Sequence, residues 1–243
     1  MNSTELKLEY NICEKVEKGI PVIIVAAGIS SRMKGVDKQF MSLVGIPAVA
    51  RTLIAFENSP AISKIIVVTA AGSIPYMQLI CDKYMITKLT DIVGGGATRH
   101  ESVMRGIKRL DGNDKKVLIH DGARPFIDNK IICDVTNALD TYDAALCVSK
   151  INDTVKSVNE KGEVISTIDR STLYSAQTPQ GVDVEKYLSA CENLGNIEIF
   201  TDDASVMEAA GFIVKAVEGN PKNIKITTPD DILIAEAIIK GDK

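Results

Sequence analysis

Apolar and polar positions fall into two rhythms along this chain. Residues 21–27 form an unbroken apolar, largely β-branched run, Pro21-Val22-Ile23-Ile24-Val25-Ala26-Ala27, which ends at Gly28. A run without polar alternation predicts a strand covered on both faces. Shorter runs of the same kind follow at residues 64–69, 89–93, 116–120, 144–149, 213–217 and 223–227. Between most of them, apolar residues recur near helical spacing: Val49, Leu53, Ile54 and Phe56; Val103, Ile107 and Leu110; Ile131, Ile132, Val135 and Leu139. Strand alternating with helix predicts an α/β fold, a mostly parallel twisted sheet flanked by helices, whose ligands bind beyond the carboxyl ends of the strands.

Thr228-Pro229-Asp230-Asp231 supplies an N-cap residue, a proline at the first helical position and two acids that the helix dipole favours, so the chain is expected to end in a docked helix. One segment departs from the pattern. Residues 153–158 and 163–168 alternate apolar and polar around Asn159-Glu160-Lys161-Gly162, which predicts a β-hairpin projecting from the sheet. With no internal repeat and no Pro/Gly/Ser linker, the chain reads as an N-terminal extension over residues 1–20 and one domain over 21–243. That domain carries an arm at about residues 150–172.

Composition narrows the function. The 243 residues are 45% hydrophobic and 25% charged, enough to bury a sizeable core, and 28 Lys plus Arg against 32 Asp plus Glu leave a net charge of −4. That sign disfavours non-specific adhesion to nucleic acid, so an anionic ligand must be held by local cations. The apolar runs fall far short of the roughly 20 residues of a membrane-spanning helix, and no membrane partner is expected. The first 19 residues are rich in Glu and Lys with no apolar stretch, which is unlike a secretory signal and points to the cytoplasm. Cys13, Cys81, Cys133, Cys147 and Cys191 are scattered and odd in number, as expected of reduced thiols rather than disulfides. The two histidines, His100 and His120, have no Cys or His at ligand spacing, so zinc has little to bind.

Three loops combine small residues with cations. Gly28-Ile-Ser-Ser-Arg32 and the following Lys38 match neither the Walker loop nor the dinucleotide fingerprint. Ala26 and Ala27 are small enough for a flat base to approach the backbone, and Arg32 and Lys38 could hold a polyphosphate; a plain strand-to-helix turn with surface cations would look the same. Gly94-Gly95-Gly96-Ala-Thr-Arg99-His-Glu-Ser102 could bring backbone amides against a ligand edge framed by Arg99 and Ser102, or be a flexible loop with a helix cap. His120-Asp121-Gly122-Ala123-Arg124-Pro125 ends a buried strand. There Asp121 suits Mg²⁺ and Arg124 suits phosphate, with a local ion pair as the plain alternative. Lys225 on its own reads as a surface lysine of an edge strand, and Asp202 and Asp203 as caps of the helix that follows.

Taken together and in order, these segments resemble the cytidylyltransferase family that couples CTP to 2-C-methyl-D-erythritol 4-phosphate in non-mevalonate isoprenoid biosynthesis. The resemblance runs from Pro21 to about Ile238. It rests on Ala-Ala-Gly-x-x-x-Arg-Met with Lys-Gln-Phe, Gly-Gly-x-x-Arg-x-x-Ser-Val, His-Asp-Gly-Ala-Arg-Pro, Asp-Thr-Val-Lys, Ala-Gln-Thr-Pro-Gln, Thr-Asp-Asp-Ala-Ser and Asn-Ile-Lys-Ile-Thr-Thr-Pro. It implies a Rossmann-like nucleotidyltransferase fold with a projecting dimerisation arm, and an enzyme that transfers CMP from CTP and releases pyrophosphate. On this resemblance Arg32, Lys38 and Lys225 are the catalytic cations. Ala26, Ala27, Gly28, Gly95, Gly96, Arg99 and Ser102 bind the nucleotide, Asp121 holds Mg²⁺, and Arg124, Thr154, Arg170 and Thr178 bind the sugar-alcohol phosphate. Arg170 would come from the partner subunit of a homodimer. The chain departs from the family pattern at Ser30, Asp37, Ser149 and Tyr174, where glycine, proline, proline and tryptophan are usual.

Two other readings stand beside this one. A ribitol 5-phosphate cytidylyltransferase shares most motifs but usually has Ala-Gly-Gly in the first loop, where this chain has Ala26-Ala27-Gly28. A nucleotide-binding module without catalysis would be expected to lose some of Arg32, Lys38, Asp121 and Lys225, and all four are present.

Overall fold

The computed structural model describes residues 18–28 and 38–241. Strand β1, Ile20–Ala26, is followed by a short hairpin of β2, Ser42–Leu43, and β3, Ile46–Pro47. Five further strands, β4 (Ile62–Thr69), β5 (Leu89–Gly94), β6 (Lys116–Asp121), β7 (Ala144–Lys150) and β11 (Val214–Glu218), join β1 and β10 (Tyr174–Asp183) in one seven-stranded sheet. Its order is β11-β7-β10-β6-β1-β4-β5. Every pairing is parallel except those of β10, which runs antiparallel to both β6 and β7.

Helices cover both faces, as the alternation in sequence requires. Val22 and Ile24 of β1 pack against α1 (Ala48–Glu57), α2 (Ile74–Lys83) and α4 (Asn129–Ala138) through Leu53, Phe56, Met77, Ile132 and Val135. Ile23, on the opposite face, packs with Val103 and Ile107 of α3 (Arg99–Ile107), Tyr187 of α5 (Val184–Asn193) and Met207 of α6 (Asp203–Ala209). Period-two alternation within an all-apolar strand thus feeds two separate cores. The closing helix α7, Pro229–Gly241, starts with reciprocal capping: the Thr228 amide donates to Asp231 at 2.8 Å and the Asp231 amide donates to the Thr228 hydroxyl at 3.4 Å.

The arm is a separate antiparallel hairpin of β8, Val155–Val158, and β9, Val164–Ile168, turning with Gly162 at φ +80°. Its apolar residues face solvent in the single chain, Val158 at 55%, Val164 at 61% and Ile165 at 65% exposure, more than a two-stranded ribbon can leave uncovered cheaply.

Two expectations need correcting. Residues 223–227 are not a strand: the segment forms no ladder and is tied down where the Ile226 amide donates to the Ala123 carbonyl at 2.9 Å. In the other direction, β10 carries little apolar signal, because Gln177, Thr178 and Gln180 are among its buried residues, Val182 is the one large apolar side chain buried with them, and Pro179 interrupts its pattern. Among the described residues Cys81, Cys147 and Cys191 are free. The proposed extension lies outside the described residues apart from its last three positions.

Candidate active site

The connections from β1 lead to β4 and β5 on one side and return to β6 on the other, so a crevice opens beyond the carboxyl ends of β1 and β6. Register places Asp121 opposite Val25, and the Gly122 amide donates to the Val25 carbonyl at 2.9 Å. The crevice holds a cleft of about 510 Å³, within the range of small-ligand sites, walled by Ala27, Gly28, Gly96, Arg99, Ser102, Asp121 and Lys225. A larger hollow, about 740 Å³, lies at the opposite ends of the strands. It has no glycine loop, and two of its lysines are already paired, Lys64 with Asp111 and Asp114 at 2.6 and 2.7 Å and Lys116 with Asp140 at 2.6 Å.

The glycine loop is built onto the end of β1. A Cβ at Gly95 would stand 2.2 Å from the Ala27 Cβ and 3.0 Å from the Ser102 Oγ, so only glycine lets the two loops meet. Ser102 Oγ accepts the Gly96 amide at 3.1 Å and donates to the Thr98 carbonyl at 2.9 Å. Arg105, which the sequence did not single out, donates to the Gly94 and Gly95 carbonyls at 3.1 and 2.8 Å. With its carbonyls held from behind, the loop keeps a fixed shape on its cleft side.

Asp121 sits among three cations: Lys225 Nζ at 2.8 Å and Arg124 Nε at 3.7 Å from Oδ2, and Arg99 Nε at 3.5 Å from Oδ1. Burial opposes its charge, but Arg99, Lys225 and Arg124 together hold its carboxyl far below the usual range. Arg99 also donates to Asp203 Oδ2 at 2.8 Å. Three cations therefore share two carboxylates, and the cleft keeps a positive excess suited to a polyphosphate.

Behind Asp121 a hydrogen-bonded chain fixes its backbone. The Asp121 amide donates to Thr178 Oγ1 at 3.1 Å, and Thr178 Oγ1 lies 3.0 Å from His120 Nδ1, whose Nε2 lies 3.2 Å from the Arg124 carbonyl. A carbonyl only accepts, so Nε2 carries the proton, and the Thr178 hydroxyl donates to the bare Nδ1. Burial pushes the His120 pKa down from 6.5 to about 3, consistent with this neutral tautomer. Asn223 ties the other side: its carbonyl accepts Arg124 Nη1 at 2.8 Å and its Nδ2 donates to the Thr178 carbonyl at 2.9 Å.

Of the sequence-predicted residues, Ala27, Gly28, Gly96, Arg99, Ser102, Asp121 and Lys225 wall the cleft, with Gly95 against Ala27. Ala26 is buried and does not line the cleft, and Arg124 and Thr178 contact Asp121. Thr154 and Arg170 are not brought to the cleft of their own chain: both are exposed on the arm, where Arg170 donates to the Asn152 carbonyl. Arg32, Ser30 and Asp37 lie outside the described residues, as does the side chain of Lys38, whose backbone opens a 3-10 turn, Lys38–Phe40.

A doubly wound sheet with a glycine loop and an excess of cations around one carboxylate at its switch point is the arrangement of a Rossmann-like nucleotidyltransferase. The family model described as IspD, 2-C-methyl-D-erythritol 4-phosphate cytidylyltransferase, matches residues 20–241. Curated proteins of that name from Bacillus mycoides and Clostridium acetobutylicum are 41% and 43% identical. The matches cover 91% and 90% of this chain and 98% and 96% of theirs. The solved 4-diphosphocytidyl-2C-methyl-D-erythritol synthase from Anaerococcus prevotii superposes with a TM-score of 0.82 at 32% identity, over 92% of this chain and 96% of that one. The 2-C-methyl-D-erythritol 4-phosphate cytidylyltransferase from Thermus thermophilus gives 0.75 at 29% identity, over 91% and 99%. The chain belongs to the 2-C-methyl-D-erythritol 4-phosphate cytidylyltransferase family.

Proposed function

We propose that this enzyme transfers CMP from CTP to 2-C-methyl-D-erythritol 4-phosphate in isoprenoid biosynthesis. The observation that carries the reading is the cluster of Lys225, Arg99 and Arg124 around Asp121 beside the Gly95-Gly96 loop, in a chain of this family. A phosphate oxygen of the acceptor attacks the α-phosphorus of CTP, the bond to the β-phosphate oxygen breaks, and pyrophosphate leaves. The attacking phosphate is already ionised near neutral pH, so no protein base is required. His120 fits that chemistry, being buried and neutral with both ring nitrogens engaged. The difficulty is instead the approach of two anions, which fixed cations overcome by positioning and charge neutralisation.

In this reading Ala26, Ala27, Gly28, Gly95, Gly96 and Ser102 read the cytidine through backbone groups, and Arg99 closes that side. Arg32 and Lys38 hold the triphosphate, while Lys225, Arg124 and Thr178 serve the acceptor phosphate. Asp121 suits Mg²⁺: Arg99 Nε at 3.5 Å is too far for a good hydrogen bond, so Oδ1 keeps lone pairs for a hard cation that takes its other ligands from water and phosphate. Bound there, Mg²⁺ would neutralise triphosphate charge.

The reading also includes a homodimer. An apolar arm uncovered in the single chain, and Thr154 and Arg170 standing away from their own cleft, support an arm that reaches a neighbouring subunit. One catalytic domain over residues 21–243 carries this arm, and the enzyme works in the cytoplasm, where CTP is made. Incubation with CTP, Mg²⁺ and the acceptor, followed by ³¹P NMR, should show a cytidine diphosphate diester and pyrophosphate in equal amounts. Pyrophosphate appearing without the diester would overturn the proposal.

A further inference from the structure

We infer that Asp203, held by Tyr187, is a positioning residue that sets Arg99 for the nucleotide; the inference rests on reading Arg99 as a nucleotide ligand. The sequence suggests that Asp202 and Asp203 both cap the helix after them, but the structure divides their work. Asp202 is the N-cap of α6, its side chain accepting the Ser205 amide at 3.0 Å and Gln180 Nε2 at 2.8 Å. Asp203 takes no part in that cap. It is only 2% exposed, and a buried carboxylate is costly unless its oxygens are paired.

Both oxygens of Asp203 are engaged, and neither with its own helix. Oδ2 accepts Arg99 Nη2 at 2.8 Å, and Oδ1 accepts the hydroxyl of the fully buried Tyr187 at 2.9 Å. Two buried polar groups from α5 and α6 are thus committed to one arginine at the start of α3. That arginine walls the cleft and stands 3.5 Å from Asp121.

Without Asp203, Asp121 is the carboxylate within reach of the Arg99 guanidinium. Arg99 would close onto it, competing with Lys225 and withdrawing its donors from the cleft. Anchored by Asp203, the planar guanidinium keeps its remaining N–H groups for a ligand, and Asp121 keeps Oδ1 open. The consequence should be a loss of nucleotide saturation more than of turnover.

The test is steady-state kinetics of the full chain, with KM for CTP and kcat measured for wild type, Arg99→Ala, Asp203→Asn, the double variant and Tyr187→Phe. Losing one charge-assisted hydrogen bond should raise KM for CTP about tenfold in Asp203→Asn, with kcat within about threefold of wild type. Arg99→Ala should raise KM at least as much, and the double variant no further. Tyr187→Phe keeps shape and charge, so it carries the test if Asp203→Asn does not fold. Its KM should rise about two- to threefold, and that rise should vanish when Arg99 is also Ala. The inference is overturned if Arg99→Ala raises KM while Asp203→Asn and Tyr187→Phe leave it unchanged, or if their effects multiply with that of Arg99→Ala as a structural role would. An unchanged KM in Arg99→Ala itself overturns the assignment of Arg99, and this inference with it.

Discussion

Lys225 is the cation whose removal separates charge neutralisation from folding most cleanly. Its ammonium lies 2.8 Å from Asp121 Oδ2, and its side chain is 38% exposed. A phosphate charge of the substrate about 4 Å from that ammonium, at an effective dielectric constant of about 20, would interact with it by about 4 kcal/mol. Screening at so exposed a group roughly halves this, leaving about 2 kcal/mol, or about 30-fold in rate. Deletion of single charge-stabilising donors elsewhere costs roughly 10²- to 10³-fold. Lys225→Ala should therefore lower kcat/KM by about 30- to 1,000-fold.

Its folding cost should be small, because Asp121 keeps Arg99 and Arg124 at 3.5 and 3.7 Å and is not left as a lone buried charge. A partly exposed pair is worth about 1 kcal/mol or less. Pyrophosphate release measures the first quantity and urea unfolding the second. Wild-type turnover in Lys225→Ala would refute the reasoning, as would a stability loss of more than about 3 kcal/mol, which would make the activity loss a folding defect.

Other outcomes follow from the same reading of the site. Lys38→Ala should reduce turnover by about two orders of magnitude with unchanged thermal unfolding; equal turnover would remove it from the site. Gly95→Ala places a Cβ 2.2 Å from Ala27 Cβ, so it should cost about 1–3 kcal/mol by urea unfolding and weaken CTP binding, and a neutral result would contradict the contact. His120, held down from 6.5 to about 3, binds a proton in the unfolded chain that the folded chain refuses, so its contribution is whole above about pH 6.5 and is lost as pH falls towards 3. Wild-type stability should drop by up to about 1.4 kcal/mol per pH unit more steeply in that window than His120→Gln, and parallel curves would exclude the buried neutral histidine. If arms exchange between subunits, mixing inactive Arg170→Ala and Lys225→Ala proteins should restore about a quarter of wild-type activity through heterodimers with one intact site, while no recovery would place Arg170 outside a shared site.

The parallel strands and both helix layers were legible because a strand buried on two faces must be apolar throughout, and a helix on a sheet must be apolar on one side. The same logic hid β10: its buried Gln177, Thr178 and Gln180 satisfy one another, Asp202 and the site, so the sheet is polar where it serves the cleft. Residues 223–227 misled in the opposite sense, since Ile226 is buried against α7 without any ladder. The cleft residues could be placed because loops after parallel strands share one end of the sheet. What spacing could not convey was pairing across the fold: Asp203 with Arg99, 104 residues apart, or Arg105 behind the glycine loop.

The central claim is a choice of acceptor, and pyrophosphate release with CTP and Mg²⁺ tests it most directly when 2-C-methyl-D-erythritol 4-phosphate and ribitol 5-phosphate are offered in separate reactions. Release with the methylerythritol phosphate alone is the predicted result. Release with ribitol 5-phosphate alone, or CTP binding with neither acceptor consumed, would contradict it.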